Sequence, residues 1–434
     1  MTDAAAELED AAPGGEPPSS YGSGARILSI GIAATGLFSF AYFAVASHVL
    51  SAEQYGQIAL LWSVLFVVIS VIYRPVEQLL SRSIADRRAR GLHSGHPLRV
   101  PLSIQGGFAV IFLAVALALR PQLEDLFGGS ASLYWIFIGS AMAYAASYFA
   151  RGYFAGHQWF ALYGGLVLFE AVSRFCFPVA VAVGIATGQT AVALGILAAP
   201  IASLVVIPWA IARHRRLDAQ APVPDPSMTM RAGAGFAVAV AGIQLGEQTL
   251  LNAGVIVADA VSSAAVAGAV FNVLLITRAP LQLFQAVQTS LLPHLAGLEA
   301  TEGAEEFSRA IRVTVLAITG FAAAVALGLL LIGPWVMHLV FGDDTDYGRW
   351  GLAVVAVGMG LHLIAGTLNQ AALARGQASA ACALWLLCAA LFVAWMAVPV
   401  VSDVLLRAEA GYAGASALLC VLLFGLYRRD AAAP

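Results

Sequence analysis

Twelve long apolar runs, divided by short polar stretches, order the chain from residue 27 onward. They fall at about 27–49, 54–79, 100–119, 131–150, 161–184, 191–212, 233–257, 264–292, 313–340, 350–374, 379–400 and 409–427. Each is long enough for the roughly 20 residues that carry a helix across a bilayer. The pattern predicts an all-α integral membrane protein with twelve transmembrane helices.

A basic, proline-bearing stretch, RHRRLDAQAPVPDPSMTMR, splits the runs into two sets of six, and local features recur in both. The second run of each set carries an arginine just before a proline, as Arg74-Pro75 and as Arg278-Ala279-Pro280. The fourth run of each ends in Ala-Arg-Gly, at 150–152 and at 374–376, and Gly56 and Gly268 open the two second runs. The expected organisation is a disordered cytoplasmic tail at 1–25, an N-lobe of six helices at 26–212, a cytoplasmic connector at 213–232, a C-lobe of six helices at 233–428 and a cytoplasmic tail at 429–434. An even number of spans per half gives the halves the same orientation, which sets their repeat axis along the membrane normal and leaves a cleft between them for a substrate.

Composition agrees with the pattern. The chain is 60% apolar and 11% charged, against roughly 45–50% and about 25% in soluble domains. All 22 basic residues are arginine. With both termini in the cytoplasm, inner segments hold 16 arginines and outer ones only Arg120, Arg349 and Arg407. Positive charge favours the inner side, so the expected setting is a multi-pass protein of the cell inner (plasma) membrane with both termini cytoplasmic. The cysteines Cys176, Cys382, Cys388 and Cys420 lie in apolar runs without metal or redox spacing. No cofactor is expected, no phosphate-cradling glycine loop occurs, and nothing points to nucleic acid.

Three arginines, Arg74, Arg174 and Arg278, lie inside spans. In span eight Arg278, Gln282, Gln285 and Thr289 line one helical face. Span seven carries Gln244, Glu247, Gln248 and Asn252, span one Thr35, Ser39 and Tyr42, and span ten His362, Asn369 and Gln370. A charge at the bilayer centre costs on the order of 2.5–3.5 kcal/mol, so such stripes face a bundle interior or a watery cavity. Single Gln, Asn, Ser and Thr residues also serve to bond helix to helix, worth roughly 0.6 kcal/mol each. Glu170 and Arg174, four apart on span five, are spaced to pair along one helix face as a structural pair. Arg74 and Glu77 are three apart; Arg74 is then either a gate or substrate contact or an anchor at the helix end. Arg278 has no acid within four residues and is the leading candidate for a substrate contact, or else the partner of Glu247. Glu247 stands alone at mid-depth, where desolvation suits a carboxyl to binding a coupling ion such as H+.

The stretches LSAEQYGQIALLWS, ARGYFAGHQWFALYGGLVLFEAVSRF and VLLITRAPLQLFQAVQTSLLPHL together resemble the polysaccharide flippase branch of the multidrug/oligosaccharidyl-lipid/polysaccharide (MOP) exporter superfamily. The resemblance covers the chain from about residue 26. It implies a V-shaped pair of six-helix bundles that open alternately to the two sides and carry a polyprenyl-pyrophosphate-linked oligosaccharide to the outer leaflet, with H+ or Na+ as coupling ion and surrounding membrane lipids as partners. Arg278 and Arg74 would then meet the pyrophosphate, because the guanidinium fork donates two hydrogen bonds and stays charged. Gln282, Gln285, Gln244, Asn252 and Asn369 would line the polar cavity. A multidrug exporter of the same superfamily is the alternative, as is a lipid II flippase, whose usual two further helices find no room here. A membrane-embedded glycosyltransferase would need catalytic acids on a sizeable outer loop, and the outer loops are about a dozen residues or shorter.

Overall fold

The computed structural model describes residues 18–89, 98–214, 230–275, 304–342, 347–374 and 377–431, which form helices joined by short connections. In the first half these are α1 (Pro18–Val49), α2 (Ala52–Ile72), α3 (Arg74–Ala89), α4 (Arg99–Ala118), α5 (Arg120–Leu126), α6 (Ala131–Gly156), α7 (Phe160–Ala182), α8 (Gly188–Ser203) and α9 (Ile207–His214). The second half has α10 (Met230–Val261), α11 (Ala264–Leu275), α12 (Ala304–Phe341), α13 (Arg349–Ala374), α14 (Ala378–Ala397) and α15 (Val404–Ala431). All twelve expected spans coincide with helices, although residues 276–292 of the eighth lie outside the described residues. Among the described residues, nine helical stretches are long and apolar enough to cross a membrane. Residues 18–25, expected as tail, are the first turns of α1. Pro18 suits that position because the N–H it lacks would have no helical partner there.

Proline sets the break that matters most for the site. Pro75 cannot donate to the carbonyl four residues earlier, so the second span turns at Tyr73 and restarts as α3 with Arg74 as its first residue. The other end of this span is fixed by Ser51, whose hydroxyl accepts from the Gln54 N–H at 3.3 Å as an N-cap.

The fold divides into two lobes. In the first, α1 packs on α7, α7 on α8, and α6 on both α8 and α3; in the second, α10 packs on α14, α12 on α13, and α15 on α13 and α14. The lobes meet where α10 lies against α2 and α3 and where α1 touches α12. Outward faces are apolar: on α12, Leu316, Leu327, Leu331, Trp335 and Leu339 are all exposed. An apolar lipid-facing surface is what hydrocarbon solvent favours.

The two glycines that open the second span of each half meet across this junction. A Cβ on Gly56 would lie 1.8 Å from the Ala264 carbonyl oxygen, and one on Gly268 would lie 3.2 Å from Gly56 Cα. The pair of repeat-related positions is therefore a backbone-to-backbone crossing, and backbone cannot yield as a side chain would. Beside it Tyr55 donates to Asn272 Oδ1, Asn272 Nδ2 donates to Tyr347 Oη at 3.0 Å, and the Phe43 and Phe271 rings sit 4.6 Å apart. Gly56→Ala is expected to destabilise the protein by about 1–3 kcal/mol, the usual cost of overpacking. Thermal unfolding in detergent, compared with Gly414→Ala where an added Cβ meets nothing within 4 Å, checks this; equal unfolding temperatures would contradict the crossing.

Candidate functional site

Among the described residues, Arg74, Glu77, Arg151, Glu170 and Glu247 gather where α3, α6, α7 and α10 come together. Gly152 decides how closely α6 approaches α3: a Cβ there would lie 2.7 Å from the Glu77 carbonyl oxygen. With small residues Ala150 and Gly152 on either side, Arg151 is carried into the protein instead of the loop in which the span boundaries placed it. Its Nη2 donates to Glu170 Oε2, and Ser147 Oγ of the same helix donates to Glu170 Oε1. The guanidinium also lies 4.6 Å from the Tyr148 ring centroid, over its π face. Tyr163, one turn into α7, donates to Glu77 Oε1 at 2.9 Å.

Arg74 faces the other lobe. Its Nη1 donates to Gln244 Oε1 at 3.1 Å, and Gln244 Nε2 donates to Glu247 Oε2 at 3.0 Å. The amide orientation follows from chemistry: guanidinium offers only donors and carboxylate only acceptors, so a side chain between them must carry one of each. Gln244 thus relays a cation of the first lobe to an anion of the second.

The expected Glu170–Arg174 pair does not form as such. Glu170 is ion-paired with Arg151. Arg174, 4% exposed, instead lies 4.3 Å from the Trp62 ring centroid, donates to Ser39 Oγ at 2.8 Å and approaches Tyr144 Oη at 3.5 Å. Spacing of four makes a helix pair possible, but it is worth only a few tenths of a kcal/mol, roughly 0.2–0.5. A desolvated aromatic face and two neutral acceptors outweigh it on one side, and a second arginine satisfies Glu170 on the other. Among the described residues, the buried Arg174 Nε has no hydrogen-bond partner.

Two residues expected in a cavity wall are instead held in the packing. Asn252 is fully buried and donates to the Gln248 carbonyl at 3.0 Å and to Gln248 Oε1 at 3.1 Å, within α10 itself. Asn369 Oδ1 accepts from Trp385 Nε1 at 3.0 Å, joining α13 to α14. Of the remaining expected site residues, Gln244, Glu247 and Arg74 are brought together, while Arg278, Gln282 and Gln285 lie outside the described residues. Sequence reasoning missed Arg151, Ser147 and Tyr163. The signal for Arg151 was present in the twice-occurring Ala-Arg-Gly, since flanking small residues admit close helix approach. Arg407, expected in an outer loop, is buried too: its Nη1 and Nε donate to the carbonyls of Met396 and Val401 at 2.9 and 2.8 Å, closing the end of α14.

No family model matches the chain. It is similar to the uncharacterized protein Rv1510 of Mycobacterium tuberculosis strain H37Rv, 26% identical over 388 residues, spanning 86% of this chain and 85% of that one. An uncharacterized protein of strain CDC 1551 matches at the same figures. Among solved structures, it is similar to a point mutant of the Vibrio cholerae MATE transporter VcmN, with a TM-score of 0.67, 15% identity and coverage of 95% of this chain and 98% of that one. It is also similar to the inward-facing conformation of a multidrug resistance MATE family transporter of the MOP superfamily, with a TM-score of 0.66, 13% identity and coverage of 92% and 95%. A MATE protein in the straight conformation gives 0.67, 15%, 96% and 97%. What these likenesses establish is the fold: the chain has the two-lobe, all-helical architecture of MATE transporters.

Proposed function

We propose that this chain is a membrane transporter, not an enzyme, and that it moves a polyprenyl-pyrophosphate-linked oligosaccharide from the cytoplasmic to the outer leaflet for cell-surface polysaccharide synthesis. One observation carries the reading: three guanidinium groups, Arg74, Arg151 and Arg174, are held inside the first lobe, and Arg74 stands at the face that meets the second. A cationic interior suits a pyrophosphate head, and Arg is the side chain best matched to phosphate. The fold alone, shared with multidrug MATE transporters, supports export of drugs equally well, and the carboxylates Glu77, Glu170 and Glu247 would serve a cationic drug. Ligand-induced stabilisation separates the two, since a ligand that binds only the folded state raises the unfolding temperature. The expected result is stabilisation of the purified protein by a polyprenyl-pyrophosphate sugar and not by a hydrophobic cationic dye; the reverse would establish the drug reading.

Coupling is assigned to Glu247, the carboxylate at the lobe junction, with H+ or Na+ as its ion. Glu247→Gln is expected to make transport independent of the ion gradient while the protein still folds and inserts. Retained gradient dependence in vesicles would remove Glu247 from coupling. For orientation, with both termini cytoplasmic, Ile185 in the connection after α7 lies outside; it is 81% exposed. Ile185→Cys in a chain whose native cysteines are replaced is expected to react with an impermeant thiol reagent added to intact cells. Reaction only after lysis would invert the topology.

A further inference from the structure

Among the described residues, the connected cluster of α3, α6 and α7 holds three guanidinium groups, Arg74, Arg151 and Arg174, against two carboxylates, Glu77 and Glu170, while Arg87, further along α3, is buried as well. Glu170 is taken by Arg151, and Glu77, three residues after Arg74 on α3, accepts from Tyr163. Arg174 contacts only hydroxyls and rings, with its Nε unpartnered, and is 4% exposed. The groups are contiguous: Tyr148 lies under Arg151, Tyr144 beside Arg174, and the two rings are 6.2 Å apart. Within this cluster the guanidinium groups outnumber the carboxylates by one. The third carboxylate, Glu247, belongs to the opposite lobe and reaches Arg74 only through the Gln244 amide.

We infer that Glu247 is a removable counter-anion, which balances the cationic interior of the first lobe while the lobes are together and is replaced there by the anionic headgroup of the substrate when they part. The inference rests on the anionic substrate proposed above. Its physical basis is that an unmatched buried charge is strongly unfavourable, so whatever leaves must be exchanged for another anion. A carrier built this way keeps an anion beside the cations of the first lobe both empty and loaded, which lets it complete a cycle without stranding a guanidinium. The relay suits release: a neutral amide stands where a direct Arg–Glu contact would hold both charges more tightly. Gln244 is then the positioning residue and Glu247 the competitor of the ligand.

Competition gives a signature that a structural role does not. The protein in lipid nanodiscs is titrated at fixed pH and salt with two probes, inorganic pyrophosphate and a polyprenyl pyrophosphate, in wild type, Glu247→Gln, Gln244→Met and Arg74→Ala. Glu247→Gln is expected to bind the lipid probe about tenfold tighter or more, because the internal anion is gone, and Arg74→Ala about tenfold more weakly. Gln244→Met, which cuts the relay and keeps the carboxylate, is expected to tighten binding in the same direction and serves where Glu247→Gln fails to fold. Tightening for the lipid probe alone identifies a lipid headgroup as the exchanging anion; equal tightening for inorganic pyrophosphate identifies a free phosphate anion and still supports exchange. Unchanged or weaker binding by folded Glu247→Gln and Gln244→Met overturns the counter-anion, while loss in Arg74→Ala would leave the anionic substrate standing. Absence of binding of both probes in every variant overturns both.

Discussion

Arg151→Ala is expected to be the most destabilising single change in the first lobe, costing about 3–5 kcal/mol, because it leaves the Glu170 carboxylate buried without its cation. Glu170 is 5% exposed and its remaining partner among the described residues is the Ser147 hydroxyl. The expected readout is a large fall in unfolding temperature in detergent, with lower yield from membranes. Glu170→Gln should be milder, since an amide still accepts from Ser147 without carrying a charge. The double change should recover much of the loss of Arg151→Ala, because the stranded carboxylate is gone. Additive losses in the double variant would mean that the pair acts through packing alone and not as an ion pair.

Arg74→Ala is expected to have the largest effect on transport with a modest effect on stability. Loss of a charge-assisted contact worth roughly 1.5–3 kcal/mol corresponds to about a 10- to 100-fold fall in the rate at limiting substrate. Arg74→Lys should retain part of the activity, because a point charge replaces the bidentate fork. Arg74 also balances Glu247 through Gln244, so the stability of Arg74→Ala must be compared with that of Arg74→Ala/Glu247→Gln. If the double variant is markedly more stable but no more active, the transport defect belongs to the substrate contact and not to a stranded acid.

The apolar runs made the helices legible because bilayer thickness fixes their length. They could not show where a span ends to within a few residues, and for Arg151 that margin decided between a loop and a buried ion pair. Local spacing misassigned Glu170 for a related reason. A helix neighbour four residues away can be read from sequence, whereas Ser147 and Arg151, 23 and 19 residues away on α6, depend on how α6 and α7 pack. Gln244 was visible as a polar residue and Arg74 as a charged one, but 170 residues separate them, and only lobe assembly makes the amide a relay. The pairing of Gly56 with Gly268 was foreshadowed by their like positions in the repeat, since residues related by an axis through a junction meet when they lie on that axis. Asn252 and Asn369 show the converse: polarity at mid-span marked them for a cavity, and each instead satisfies a neighbour in the packing.

The central claim is that the chain moves an anionic, lipid-linked sugar. Its most direct test is reconstitution of the purified protein into vesicles loaded in one leaflet with a fluorescent polyprenyl-pyrophosphate oligosaccharide, whose arrival in the other leaflet is read with a membrane-impermeant quencher, beside a cationic dye in the same vesicles. The account predicts protein-dependent movement of the lipid-linked sugar, its near loss in Arg74→Ala, and no dye transport. Transport of the dye, with the lipid-linked sugar remaining in its original leaflet, would contradict it.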